Sequence, residues 1–366
     1  MKIAFDHQTF TLQAFGGISR YFTQLAFEFI ARRHEVRIFA PLYQNRYIGE
    51  LPAGVVRGHQ LQRFPRKTTT PILHLNRVLT GPLIRHWAPD VLHETYYTQR
   101  SRVIGRRPTV VTVYDMIHEI FTENVPAGDP TTQQKRDAVA RADRVICISK
   151  NTRDDLVRLF GVDERKLDVV HLAFDPFPPS DVPPALPALK RPFLLFVGHR
   201  GGYKNFANLL HAVAASSRLA QEFDIVAFGG PPLSDGELQS IGSLGLRPEQ
   251  VHYLRGGDDM LAVLYARAQA LVYPSRYEGF GIPPLEAMTY ECPVICSHAS
   301  SLPEVAGEAA EYFSPLDVDD MRQAIERVVF SDTRSAELRV AGLQRCAQFS
   351  WSRCAEQTLA IYESLR

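Results

Sequence analysis

The chain lacks what would mark it as a membrane-spanning, secreted or nucleic-acid-binding protein. No run of about 18 apolar residues occurs in its 366 residues, so no segment reads as a bilayer-crossing helix. The opening MKIAFDHQTF turns polar too soon for a secretory signal, and the expectation is a cytoplasmic protein, at most peripheral on the inner face of the cell membrane. Cysteine is scarce. Cys147, Cys292, Cys296, Cys346 and Cys354 form no C-x-x-C pair and fall mostly in apolar strand or helix patterns, which suits a reducing compartment and offers no zinc-ligand spacing. An excess of one charge is also missing: 41 Lys and Arg against 40 Asp and Glu leave a formal +1, which implies no nucleic-acid partner. No repeat of about 20 to 50 residues is visible.

What is present is a long, average globular composition, 45% hydrophobic and 22% charged, enough for two cores. Lys2–Asp6 reads as a buried strand. A loop ending in Gly16-Gly17 follows, then a helix with Ile18, Phe22, Leu25, Ala26, Phe29 and Ile30 on one face. Strands continue at Val36–Ala40, Val91–His93, Thr109–Tyr114 and Arg144–Ser149. From Asp175 to Phe193 the chain carries seven prolines, which excludes a regular helix or central strand and predicts a stiff linker. A second series then starts, with strands at Phe193–Val197, Asp224–Phe228, Val251–Leu254, Ala270–Tyr273 and Val294–Cys296, and helices such as Phe206–Ala215 and Asp259–Ala268. Met321–Leu365 reads as wholly helical. This is α/β order. It predicts an N-terminal Rossmann-like domain over 1–175, a linker over 176–192 and a second Rossmann-like domain over 193–350. The last helix, about 351–366, is expected to pack back on the first domain. Two doubly wound domains should face each other across a cleft, where open α/β sheets bind ligands.

The segment YPSRYEGFGIPPLEAMTYECPVIC carries the densest chemistry. It places a strand end, a loop with Gly279 and Gly281, and a helix that starts near Ile282 with Pro283 and Pro284 in its first turn, where proline is tolerated. Backbone amides of Phe280, Gly281 and Ile282 at a helix N-terminus suit a diphosphate. Glu278 in the loop and Glu286 one turn into the helix can accept hydrogen bonds from sugar and ribose hydroxyls. Taken singly, each is also an ordinary loop or first-turn carboxylate. Arg200 and Lys204, after the strand that ends at Gly198, can neutralise charge that develops on a leaving diphosphate. Gly16-Gly17 at a helix start could approach a donor phosphate or an acceptor, or serve only a tight turn. TVVTVYDMIHE ends a strand in Tyr114-Asp115 with His118 beyond, and Asp-x-x-His suits a neutral imidazole oriented by a carboxylate.

Glu278, Gly279-Phe280-Gly281 and Glu286, followed by Ala287-Met288 and Pro293-Val294-Ile295, resemble the Glu-x7-Glu motif of retaining, two-domain (GT-B fold) family 4 glycosyltransferases. FVGHRGGYKN and SLPEVAGEAAEYFSPLD stand in the expected order, so the resemblance covers nearly the whole chain. It implies transfer of a hexose from a nucleotide-diphosphate sugar, with catalytic roles for His118, Glu278, Lys204 and Arg200. The donor would be held by Gly16, Gly17, Gly198, Arg200, Lys204, Gly229, Tyr253, Leu254, Arg255, Glu278, Gly279, Phe280, Gly281, Ile282, Leu285 and Glu286. The acceptor falls to Arg20, Tyr114 and Asp115. Many members have His where Tyr114 stands here, and His118 is the candidate replacement. FDHQTF, FGGISRYF and DMIHE resemble bacterial transferases of surface-polysaccharide assembly that use GDP-mannose or a GDP-deoxysugar, with a lipid-linked or oligosaccharide acceptor.

No cofactor and no metal are expected. Asp317-Val318-Asp319 resembles a cation-binding Asp-x-Asp, but it precedes a helical pattern and reads as a helix cap. Between Pro52 and Val110 stand ten Arg or Lys against Asp90 and Glu94. PILHLNRVLTGPLIRHW within it suits either docking on anionic lipid or covering the first sheet. Two other functions fit the architecture: a sugar-nucleotide epimerase, for which Asp115 and Glu119 are the N-terminal acid and base candidates, and a non-catalytic nucleotide-sugar binding protein. The sequence does not specify the oligomeric state.

Overall fold

The computed structural model describes residues 1–98, 107–177, 189 and 191–366, so most of the proline-rich 176–192 segment lies outside the described residues. The chain divides into two compact units, one of Met1–Ala173 with Ser350–Arg366 and one of Phe174–Phe349. No described helix is long and apolar enough to cross a membrane.

In the first unit the strands are β1 (Lys2–Phe5), β2 (Glu35–Tyr43), β3 (Val56–Gln60), β4 (Val91–Glu94), β5 (Thr109–Val113), β6 (Arg144–Cys147) and β7 (Leu167–Val169). They form one parallel sheet in the order β3-β2-β1-β4-β5-β6-β7. Helices α1 (Gln8–Leu12), α2 (Gly17–Ala31), α3 (Thr69–Trp87), α4 (Ile117–Ile120), α5 (Thr131–Arg141) and α6 (Lys150–Phe160) connect them. Central strands are apolar on both faces, as a sheet covered on both sides requires. The buried face of α2, with Phe22, Leu25 and Phe29, meets Phe5 of β1 and Tyr362 of the C-terminal helix Trp351–Glu363. That helix is tied to the sheet by His93, whose Nδ1 lies 2.5 Å from Tyr362 Oη and Nε2 2.8 Å from Thr112 Oγ1.

The second unit has β8 (Phe193–Val197), β9 (Asp224–Phe228), β10 (Val251–Leu254), β11 (Ala270–Tyr273), β12 (Val294–Ser297) and β13 (Ala310–Phe313), all parallel, in the order β10-β9-β8-β11-β12-β13. Its helices are α7 (Phe206–Ala214), α8 (Ser217–Glu222), α9 (Asp235–Ser243), α10 (Asp258–Arg267), α11 (Ile282–Thr289), α12 (Leu302–Ala306), α13 (Val318–Val329) and α14 (Asp332–Cys346). Leu194, Phe196, Leu209, Val213, Ile225 and Ile325 lie in its core. In both sheets the order reverses between the first and fourth strands, β1/β4 and β8/β11. These switch points open crevices at the carboxyl ends.

Several details depart from the sequence expectation. The loop before α2 contains α1. Strands β3, β7 and β13 escape the hydrophobic pattern because they are short or edge strands with mixed lining. Met321–Leu365 is three helical segments, broken where Ser331 and Ser350 accept hydrogen bonds from the amides of Arg334 and Arg353. Each such cap stabilises its helix by about 1 kcal/mol.

Candidate functional site

The switch point of the second sheet gathers Lys204, Tyr273 and Glu278. Lys204 follows β8 in a tight turn. The next residue, Asn205, takes a left-handed conformation (φ 62°) and donates to the carbonyls of Pro274 at 3.1 Å and Pro315 at 2.7 Å, which fixes the turn against the end of β11. Lys204 Nζ donates to Glu278 Oε1 at 2.6 Å and to Tyr273 Oη at 3.0 Å. Burial, reinforced by Glu278, pushes the Tyr273 hydroxyl well above its usual range, so it stays a neutral phenol. Both members of the Lys204–Glu278 pair are largely withdrawn from solvent, with 15% and 11% of each side chain exposed. Removing either partner would strand a charge, at a cost of about 3–5 kcal/mol.

The loop from Glu278 to Gly281 is anchored from beneath. The Glu278 amide donates to Ser300 Oγ at 2.8 Å, and Ser301 Oγ donates to the carbonyls of Glu278 and Phe280, both at 2.8 Å. A trans peptide sets the next N–H opposite its carbonyl, so the Phe280 anchor turns the Gly281 amide away from Ser301. Gly281 has φ 103°, and a Cβ there would stand 2.7 Å from Leu302 Cδ2, so only glycine fits. Phe280 packs inward against Phe349, their rings 5.7 Å apart. Ile282 then starts α11, Pro283 and Pro284 occupying the first turn. Glu286 accepts a hydrogen bond from the fully buried Tyr265 at 3.0 Å. Tyr265 is itself stacked on Tyr290.

Gly229, Gly230, Tyr253, Leu254 and Arg255 cluster at the ends of β9 and β10. Tyr253 donates to the Gly230 carbonyl at 2.9 Å, and the Gly229 amide donates to the Leu254 carbonyl at 3.0 Å. Arg255 is exposed. Gly198 follows β8, its amide bonded to the Phe228 carbonyl. Two residues expected at the donor stand apart from the Lys204 cluster. Arg200 is buried and joins this cluster instead of Lys204. It donates to Glu237 at 2.7 Å and to the carbonyls of Gly229, Pro231 and Pro232, so its guanidinium is spent on holding the loop after β9. Burial alone would raise the Glu237 carboxyl, but the bonds from Arg200 and Ser234 hold it below its usual value. Leu285 is fully buried, and its side chain belongs to the core.

In the first unit a Cβ at Gly16 would fall 2.3 Å from Gln13 Oε1, the movable end of a flexible side chain, so packing alone does not demand glycine there. At Gly17 an added Cβ meets nothing within 4 Å. Arg20 lies half-buried in the first turn of α2. Tyr114 is buried edge-on to Tyr21, its hydroxyl without a partner. Asp115 accepts from the Ile117 amide at 3.1 Å, and no hydrogen bond joins it to His118 among the described residues. His118 instead sits near Asp129, whose carboxyl is held low by Thr131 first and by His118 to a lesser degree. Glu119 is locked in a buried pair with Lys135 at 2.7 Å. Asp317 caps α13, accepting from the Asp319 and Asp320 amides, both at 3.0 Å. No group of three or more His, Cys, Asp or Glu suited to a metal occurs among the described residues.

Tyr273, Tyr265, Ser300 and Ser301 were not among the sequence candidates. Tyr273 could have been found as a polar-tipped residue closing a strand at the switch point. The others act through contacts between distant segments, which leave no local signal.

Two family models match the chain: Glycosyltransferase Family 4 over residues 15–176 and Glycosyl transferases group 1 over residues 181–344. The chain is 31% identical to O-antigen chain mannosyltransferase B of Escherichia coli, over 95% of this chain and 96% of that one. Among solved structures it resembles sucrose-phosphate synthase of Thermosynechococcus elongatus, with TM-score 0.76 and 20% identity over 100% and 99% of the two chains. It also resembles Anabaena Alr3699/HepE in complex with UDP and glucose, with TM-score 0.70 and 19% identity over the full length of both. At that identity these two likenesses speak for the fold alone.

Proposed function

This chain belongs to the family 4, group 1 glycosyltransferases of GT-B fold, and from that premise we propose that it is a retaining enzyme that moves mannose or a deoxyhexose from a GDP-sugar to a lipid-linked or saccharide acceptor. It is a hexosyltransferase by family. The product belongs to O-antigen or other surface polysaccharide, as the name of the Escherichia coli relative suggests.

The observation that carries this reading is the Lys204–Glu278–Tyr273 cluster at the β8/β11 switch point, on the loop that leads into α11. Lys204 is poised to neutralise the leaving diphosphate while the α11 N-terminus adds its dipole. Glu286, set by Tyr265, suits the ribose diol, and Glu278 the hydroxyls of the transferred sugar. The diphosphate oxygen would take the proton of the attacking acceptor hydroxyl on the same face, so no protein nucleophile is needed. These groups supply the phosphate charge without a metal. The acceptor belongs to the first unit, whose exposed α3 leucines and basic flank suit contact with an anionic membrane. Glu119, one of the two residues the epimerase alternative needs, is locked in a buried pair with Lys135.

Thermal stabilisation by GDP, UDP, ADP and dTDP tests the donor: GDP should raise the midpoint most, and a clear win for UDP rejects the GDP assignment. Incubation of GDP-mannose with mannose-terminated acceptors in the presence of EDTA should release GDP and extend the acceptor. An epimerised donor without transfer overturns the reading.

A further inference from the structure

Helix α11 carries Glu286 in its second turn, and its C-terminal end is held from a distant part of the chain. Tyr290, the C-cap residue of α11, donates its hydroxyl to the Phe177 carbonyl at 3.1 Å. Phe177 is buried and stands where the chain enters the proline-rich segment, still within the second unit. Neither residue belongs to the Glu-x7-Glu motif or to the donor residues that the family resemblance implies.

The rings continue the connection. Phe177 and Tyr290 lie 6.3 Å apart with planes 23° from parallel, and Tyr290 and Tyr265 lie 6.0 Å apart at 17°. Near-parallel rings at such separations attract each other and resist tilting. Tyr265, fully buried on α10, ends the series with its hydroxyl on Glu286 Oε2 at 3.0 Å. Glu286 and Tyr290 are four residues apart, so they share one side of α11 and meet Tyr265 together. A carboxylate that is to accept from two vicinal hydroxyls must be held within about 0.5 Å of its productive place. On a helix of 8 residues a shift of the last turn reaches Glu286 directly.

We propose that Tyr290 is a positioning residue for the donor: the Phe177 carbonyl and ring hold Tyr290, Tyr290 backs Tyr265, and Tyr265 aims Glu286 at the ribose diol. This rests on the reading of Glu286 as the ribose contact and extends the donor machinery to the segment that precedes the proline-rich stretch.

Calorimetric titration with GDP and with 2′,3′-dideoxy-GDP, which keeps base and diphosphate and lacks the diol, tests it. The uridine pair is run in parallel, so the outcome does not depend on the base. The ratio of the two affinities reads the grip of Glu286 on the diol, and a loss of stability alone leaves that ratio unchanged. Wild type should prefer the nucleotide with the diol by about ten-fold or more. Tyr290→Leu should cut this preference by about five-fold, through weaker binding of the diol-bearing nucleotide. Tyr290→Phe, which keeps the ring and loses the bond to Phe177, should cut it by only about two-fold. Phe177→Leu, which keeps the carbonyl and removes one ring, should do the same, and it keeps the test meaningful if Tyr290→Leu misfolds. An unchanged preference in both Leu variants, or equal weakening of both nucleotides, overturns the proposal and leaves the donor site standing. A wild-type chain that binds both nucleotides of a pair equally overturns the ribose role of Glu286, and one that binds no nucleotide overturns the transferase reading; the positioning role falls with either.

Discussion

Tyr265 shows how a residue outside any motif can govern one inside it. Its hydroxyl donates to Glu286 from a fully buried position, and burial together with Glu286 keeps it protonated well above the usual phenol range. A hydrogen bond to a charged acceptor contributes about 1.5–3 kcal/mol. Tyr265→Phe removes the bond and keeps the ring and its stack on Tyr290. The expected outcome is roughly ten-fold weaker nucleotide binding by calorimetry, with the turnover of bound donor within about two-fold of wild type. An unchanged affinity means that Glu286 needs no such support. The sequence could show Glu286 because its spacing from Glu278 is a local pattern. It could not show Tyr265, which lies 21 residues away and meets Glu286 only through the packing of α10 on α11. The surroundings of Arg200 were hidden for a related reason, since its carboxylate partner Glu237 sits 37 residues on.

At the scale of elements, α3 has one buried face and one exposed apolar face. Asn76, Thr80, Ile84 and Trp87 are buried, and Asn76 closes on β2 through both the amide and the carbonyl of Leu42. Leu75, Val78, Leu79 and Leu83 face solvent at 43–49% exposure, and an apolar groove runs from three of these leucines to Pro41 and Leu42. Exposed Arg63, Arg66 and Lys67 precede the helix. Apolar side chains flanked by cations are the combination that binds anionic lipid, each cation contributing about 1 kcal/mol. Reversing these three charges to Glu should weaken co-sedimentation with phosphatidylglycerol vesicles by roughly 100-fold or more. Equal sedimentation of variant and wild type would show that the patch has no part in lipid binding. The sequence already displayed the basic, apolar segment here, because charge and hydropathy are local. It left open two roles for the segment; the buried face of α3 covers the first sheet, and the vesicle measurement decides the other. The short strands β3 and β7 were illegible for the opposite reason: they are held by neighbours rather than by their own pattern.

Across the whole molecule, two parallel sheets with separate cores should unfold as separate transitions, and acid should distinguish them. His93 is fully buried in the first unit, and burial pushes its pKa down to about 3. In the unfolded chain the value is about 6.5. Between those limits the unfolded state binds a proton that the folded state refuses, so stability falls as pH falls, by about 1.4 kcal/mol per pH unit. From pH 6.5 to 5 the first unit therefore loses about 2 kcal/mol through His93 alone, and His7, also lowered by burial, adds a loss of the same sign. In the second unit the Glu237 carboxyl is held low, and its contribution fades only as pH drops below the ordinary carboxylate range of about 4. Calorimetry from pH 7 to 5 should show one transition moving down by several degrees. The other, identified by its upward shift with GDP, should move less. His93→Gln should flatten the acid dependence of the first transition, because the amide can keep a bond to Tyr362 or Thr112 without titrating. If the GDP-sensitive transition is the acid-labile one, or if His93→Gln leaves the slope intact, the buried imidazole is not the source of the acid sensitivity.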